Sequence, residues 1–95
     1  FLNNFMPEDL KTFKTIITAG ERPIRDDVKR FSKHFKYINA YGPTEVTVCA
    51  TTFKVPENFN KEEVPIGRPI KNTKIYILDK NQNIVPFRVK GEICI

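Results

Sequence analysis

Phe35-Lys36-Tyr37-Ile38-Asn39-Ala40-Tyr41-Gly42-Pro43-Thr44-Glu45 sets the reading of this chain. The apolar run at its start reads as a short strand, and the seven residues from Asn39 to Glu45 read as a loop at that strand's C-terminal end. Open α/β sheets bind their ligands at that end. The loop puts an aromatic face, a tight Gly-Pro turn, a hydroxyl and a carboxylate within a few residues. Those groups suit a nucleotide, with its base at Tyr41 and a magnesium-bound phosphate at Glu45. Each residue also has a plainer use: a core tyrosine, an ordinary turn, a capping hydroxyl, a solvated carboxylate.

Upstream, Thr15-Ile16-Ile17-Thr18 is a β-branched apolar run and predicts a buried strand. Pro7-Glu8-Asp9-Leu10 predicts a helical opening, with proline early and acids in the first turn. Ile24, Val28, Phe31 and Phe35 recur at helical spacing and predict a helix over 24–35 with one apolar stripe. Strand, helix and strand in that order predict a βαβ unit with parallel pairing. Beyond Glu45 the pattern becomes β-rich. Strands are expected over 46–53, 74–79 and 89–95, with Ile84–Pro86 as a partner. A surface loop is expected over 56–63, a bend at 66–70 and a turn at 80–83. The fold class is therefore α/β over 1–45, followed by a β-meander or barrel segment over 46–95.

Ninety-five residues make one small domain, and 40% hydrophobic with 28% charged residues is ordinary for a globular chain. No apolar stretch approaches the ~18 residues of a membrane helix, so no membrane is expected as a partner. The net charge of +5 is spread along the chain and interleaved with acids. A nucleic-acid binder gathers its positive charge on one face or stripe, so no nucleic-acid partner is expected. Cys49 and Cys94 form no CxxC pair, and with the single His34 they have no zinc spacing; no metal site is expected from them. The first residue is Phe1, no signal peptide is visible, and the chain ends within the apolar run Glu92-Ile93-Cys94-Ile95. The expectation is a piece of a longer polypeptide.

Asn39-Ala40-Tyr41-Gly42-Pro43-Thr44-Glu45 resembles the core motif of adenylate-forming enzymes, and in this wording the amino-acid adenylation domains of nonribosomal peptide synthetases. Three further segments agree in order and rough spacing. They are Ile17-Thr18-Ala19-Gly20-Glu21; Val64-Pro65-Ile66-Gly67-Arg68-Pro69-Ile70 with Asn72-Thr73-Lys74-Ile75-Tyr76-Ile77; and Gly91-Glu92-Ile93-Cys94-Ile95. Together they span nearly the whole chain, as part of the large N-terminal portion of such a domain.

The resemblance implies a cytoplasmic ligase that uses ATP and Mg²⁺ to convert an amino acid to its adenylate. The acyl group is then passed to the phosphopantetheine of a carrier protein domain. It implies that Tyr41 stacks on adenine, Asn39 reads its edge, and Ala40 leaves room for substrate. Gly42 and Pro43 turn the backbone so that Thr44 and Glu45 face the phosphates. Thr44 donates to a phosphate oxygen and Glu45 ligates Mg²⁺, making these two the catalytic candidates. Gly20, Glu21 and Arg22 correspond to the opposite wall of the base slot. Ile17, Ala19, Ala40, Val48 and Cys49 fall where the family lines its side-chain pocket. All are small or apolar, so an apolar or aromatic amino acid such as phenylalanine is expected, because burying an unpaired charge there is costly.

The family's phosphate loop, amine-binding aspartate, ribose-binding aspartate and catalytic lysine are not in these 95 residues, so the piece alone is not expected to adenylate. Two alternatives stay open at this point. One is an acyl- or aryl-acid or D-alanine ligase with the same loop; the other is a noncatalytic nucleotide-binding or carrier-docking module.

Overall fold

The computed structural model describes residues 2–95, and its sheet is built around the quoted strand. Strands β1 (Thr15–Thr18) and β2 (Lys36–Tyr41) pair in parallel, with Ile16 opposite Tyr37 and Thr18 opposite Asn39. Helix α1 (Arg25–Ser32) connects them, as the βαβ pattern predicts. Strand β3 (Thr51–Val55) returns antiparallel on the other side of β2, and the two-residue β4 (Arg68–Pro69) closes the order β1-β2-β3-β4. A separate hairpin-like pair follows, β5 (Tyr76–Leu78) with β6 (Glu92–Cys94). No closed barrel forms among the described residues; the second half adds strands to the first sheet and makes one small ribbon.

The core lies between α1 and one face of the sheet. Val28, Phe31 and Tyr37 are fully buried, with Val55, Phe59 and Val64 packed beside them. Helix α1 carries Asp26 and Asp27 in its first turn and Lys29 and Arg30 in its last, the arrangement that suits the helix dipole. Arg30 also pairs with Asp27 at 2.9 Å. The helix is shorter than the stripe predicts. Ile24 only caps it and stays exposed, while Phe35 lies past its end, half-buried against the core.

Several boundaries differ from expectation for tertiary reasons. Pro7–Leu10 is one 3-10 turn whose Asp9 carboxylate accepts from the Met6 N–H at 2.8 Å. The strand expected over 46–53 begins only at Thr51. Thr44–Val46 forms a 3-10 turn, and Thr47 and Val48 take left-handed φ values of 50° and 75°. The β-branched run has strand propensity, but the hairpin closes so tightly that the Ala50 N–H reaches Tyr41 O at 2.8 Å. Register with β2 sets where β3 can start. Pro69, expected in a bend, instead sits on an edge strand, where its missing N–H costs no ladder bond. The expected 80–83 turn forms, with Asp79 Oδ1 accepting from the Asn81 and Asn83 N–H groups at 2.8 and 2.9 Å. These bonds hold the Asp79 carboxyl below its usual range, that to Asn83 most strongly.

Candidate functional site

A cleft of about 780 Å³ opens at the C-terminal end of β2, within the ~300–1,000 Å³ range of small-molecule sites. Its walls come from three segments. Gly20 to Pro23, after β1, form one side. Asn39 to Pro43 form the floor, and Glu63 to Ile66 form the facing wall. Gly20 takes φ +87°, and a side chain there would meet nothing within 4 Å. The wall is open enough for a flat molecule to lie against backbone.

The floor depends on Gly42. A Cβ at that position would stand 2.7 Å from Cys49 Cα and 2.8 Å from the Ala50 nitrogen, so only glycine lets the two arms of the loop meet. Beyond it, Pro43 starts the 3-10 turn that carries Thr44 and Glu45, both exposed. Beneath the floor, burial pushes the Tyr37 hydroxyl up from its usual range; the nearby Thr18 hydroxyl opposes this, and Asp27 adds to it. The Tyr37 and Thr18 hydroxyls fall short of hydrogen-bond geometry and are both buried without a partner.

The 59–66 segment is stitched across α1 and the sheet. Phe59 and Val64 insert into the core. Lys29 Nζ donates to Asn60 Oδ1 at 2.9 Å, Arg25 Nε to Lys61 O at 3.1 Å, and Asn39 Nδ2 to Pro65 O at 2.9 Å. Arg22 meets Glu63 at 2.7 Å across the rim. That pair is largely exposed and contributes ~1 kcal/mol at most.

Of the residues singled out from sequence, Gly20, Glu21, Arg22, Asn39, Ala40, Tyr41 and Gly42 all line this one cleft. Thr44 and Glu45 lie just past its edge. The proposed side-chain pocket is less gathered. Ile17 and Ala40 share the sheet face away from α1, two register positions apart, and Ala40 is buried while Ile17 is 64% exposed. Val48 is 75% exposed, Ala19 is exposed, and Cys49 is half-buried. Only Ala40 of these five reaches the cleft. The sequence places Glu63 in a surface loop over 56–63 and Ile66 in a bend at 66–70, and neither expectation makes them a cleft wall. Its signal was the buried-type Val64 within a polar stretch, which marks a segment pinned to the core.

The Glu45 carboxylate makes no hydrogen bond or ion pair among the described residues, and no group of three or more metal-ligating side chains occurs among them. Magnesium binds through one or two carboxylates plus phosphate oxygens and water rather than an all-protein cage. A single hard oxygen donor beside a nucleotide-sized cleft therefore fits Mg²⁺.

The architecture defines an α/β unit with an open cleft at the carboxyl end of a parallel strand pair. The family model for AMP-binding enzymes matches residues 1–95, and the chain belongs to that family. It is 40% identical over 96 residues to tyrocidine synthase 1 of Brevibacillus parabrevis, covering 100% of this chain and 9% of that protein. It is 44% identical over 89 residues to gramicidin S synthase 1 of Brevibacillus brevis, covering 94% of this chain and 8% of that one. The chain thus spans under a tenth of these relatives. Among solved structures it resembles PA1221, an NRPS protein containing adenylation and PCP domains, with TM-score 0.84 and 25% identity over 95% of this chain and 19% of that one. It also resembles holo-AB3403, a four-domain nonribosomal peptide synthetase bound to AMP and glycine, with TM-score 0.71 and 30% identity over 83% of this chain and 6% of that one. The fold is that of a fragment of these adenylation domains. Among the described residues no helix is long and apolar enough to cross a membrane.

Proposed function

We propose that this segment forms the adenine and phosphate side of an amino-acid adenylation site in a nonribosomal peptide synthetase. The observation that carries the reading is the Tyr41–Glu45 turn at the mouth of the cleft, in a chain of the AMP-binding family. The amino-acid carboxylate attacks the α-phosphorus of ATP. The bond to the bridging oxygen breaks and pyrophosphate leaves, giving the aminoacyl-adenylate. A carrier-domain phosphopantetheine thiol then takes the acyl group and AMP departs. Drawing on ATP, the reaction belongs in the cytoplasm.

This chain's part is positioning and charge complementarity. Tyr41 offers its ring to adenine, and Asn39 its carboxamide. Gly20, Glu21 and Arg22 confine the base from the other side. Thr44 donates its hydroxyl to a phosphate oxygen. Glu45 holds Mg²⁺, which neutralises developing phosphate charge when bound. Ile17, Ala19, Ala40, Val48 and Cys49 contribute apolar lining for the substrate side chain, with Ile17 and Val48 awaiting cover from the rest of the domain. The reading favours an apolar or aromatic amino acid.

The test is amino-acid-dependent ATP–pyrophosphate exchange by the intact domain. Phenylalanine or a similar apolar amino acid should support exchange, and Glu45→Gln should lower it by about a hundredfold, the size expected when one preorganised charge-stabilising group is lost. Exchange that prefers Asp or Lys would sink the substrate assignment. Undiminished exchange in Glu45→Gln would sink the role of Glu45.

A further inference from the structure

We propose that the Glu63–Ile66 wall is a base-selectivity device, acting through Asn39: the Pro65 carbonyl locks the Asn39 carboxamide so that only its oxygen is offered to the nucleotide base. The inference rests on the adenylation reading above. A carboxamide is ambiguous by nature, since half a turn about its terminal bond exchanges donor for acceptor. An unrestrained asparagine can therefore satisfy a 6-amino purine through Oδ1 or a 6-oxo purine through Nδ2. Here the choice is removed. A backbone carbonyl can only accept, so the edge of Asn39 facing Pro65 O at 2.9 Å must be Nδ2. Asn39 is 3% exposed and lines the cleft, and nothing among the described residues donates to its Oδ1.

Turning the amide over would set oxygen against oxygen in a buried place, leaving both unpaired. The locked Oδ1 then accepts from the 6-amino group of adenine and meets a 6-oxo purine with a lone-pair clash. Discrimination thus comes from a hydrogen bond made within the protein. It is stronger than one attractive bond supplies, because the wrong base also leaves polar groups unpaired.

The wall is built to hold this position. Phe59 and Val64 are anchored in the core on one side of Pro65. On the other, Gly67 at φ +89° passes so close to Thr52 that no side chain fits. Pro65 itself restricts the backbone where the carbonyl must be aimed.

The test replaces the Pro65–Ile66 amide by an ester in the intact adenylation domain, using an α-hydroxy acid at position 66. The ester carbonyl is a weaker acceptor, and the Ile66 N–H that is lost makes no hydrogen bond among the described residues. The readout is the ratio of kcat/KM for ATP to that for inosine triphosphate, which carries a 6-oxo group in place of the amine. The expected result is a ratio reduced by about fivefold, the scale of one neutral hydrogen bond. Phe59→Leu, which loosens the wall without touching the cleft, should lower the same ratio; it serves as the second variant should the ester protein fail to fold. An unchanged ratio in a folded variant overturns the proposal, because a merely structural role would lower stability and leave base preference alone. If the unmodified domain shows no ATP-dependent exchange at all, the adenylation reading itself falls, and the lock with it.

Discussion

Gly67→Ala measures how much the cleft depends on one close backbone approach, and Gly20→Ala supplies its control. The two glycines share nearly the same backbone, φ +89° and +87°, so both substitutions incur the same left-handed penalty of about 1–2 kcal/mol. They differ in what a methyl group would meet. At Gly20 there is nothing within 4 Å. At Gly67 the Cβ would stand 1.9 Å from Thr52 O and 2.3 Å from its carbonyl carbon. Restoring ordinary contact requires β3 and the 63–67 segment to part by about 1.5 Å. The short β3–β4 ladder, pairing Thr51 with Pro69 and Thr52 with Arg68, is too small to absorb that. Losing about two hydrogen bonds net adds ~2 kcal/mol.

Gly67→Ala should therefore cost about 3–4 kcal/mol against about 1–2 for Gly20→Ala. A gap of that size is roughly a thirtyfold difference in the unfolding constant. Urea unfolding of the intact domain, followed by far-UV circular dichroism, reads the difference directly. Because the displaced segment carries Pro65, KM for ATP should also rise in Gly67→Ala. Equal costs for the two variants would refute the argument that the close approach, rather than backbone strain, is what matters.

Two other outcomes follow from the same structure. Tyr41→Ala should raise KM for ATP by about five- to a hundredfold, reflecting the ~1–3 kcal/mol of one base-stacking contact, while Tyr41→Phe should keep the affinity; an alanine variant with normal KM would remove Tyr41 from the site. Asp79 tests the pH dependence of the β5 turn. Its carboxyl is held below the ordinary value of 3.8, chiefly by the Asn83 N–H. The stabilisation it lends is therefore complete above that value and disappears as pH falls through the lower, folded value. NMR titration of the Asn81 and Asn83 amides should show a midpoint below 3.8 that vanishes in Asp79→Asn; a midpoint at or above the ordinary value would contradict the turn geometry.

Much of this was legible in the residues because the signals were local. Thr15–Thr18 and the Tyr37 strand are β-branched or apolar runs, each ended by a glycine-containing breaker. The Val28–Phe31 stripe has helical period, and the charges in α1 complement its dipole. What failed was set by contacts distant in sequence. Val46–Cys49 has every propensity for a strand, yet the loop ties back on itself because Gly42 must meet Cys49 and Ala50. Pro69 looks like a bend in isolation and becomes an edge strand only because β3 lies beside it. Nothing in Val64–Ile66 announces that Asn39 will donate to Pro65.

By itself, the sequence determined the order of elements, the strand that ends in Asn39–Glu45, and the family to which that order belongs. These depend on side-chain periodicity and on residue types at fixed spacing, and both are properties of the chain alone. Only the tertiary structure decided that Gly20–Arg22, Asn39–Gly42 and Glu63–Ile66 enclose one cleft, and that the Asn39 amide has a single allowed orientation. Those facts rest on a donor meeting an acceptor 26 residues away in sequence. A pairing of that kind exists only once the sheet has brought its partners to within 3 Å.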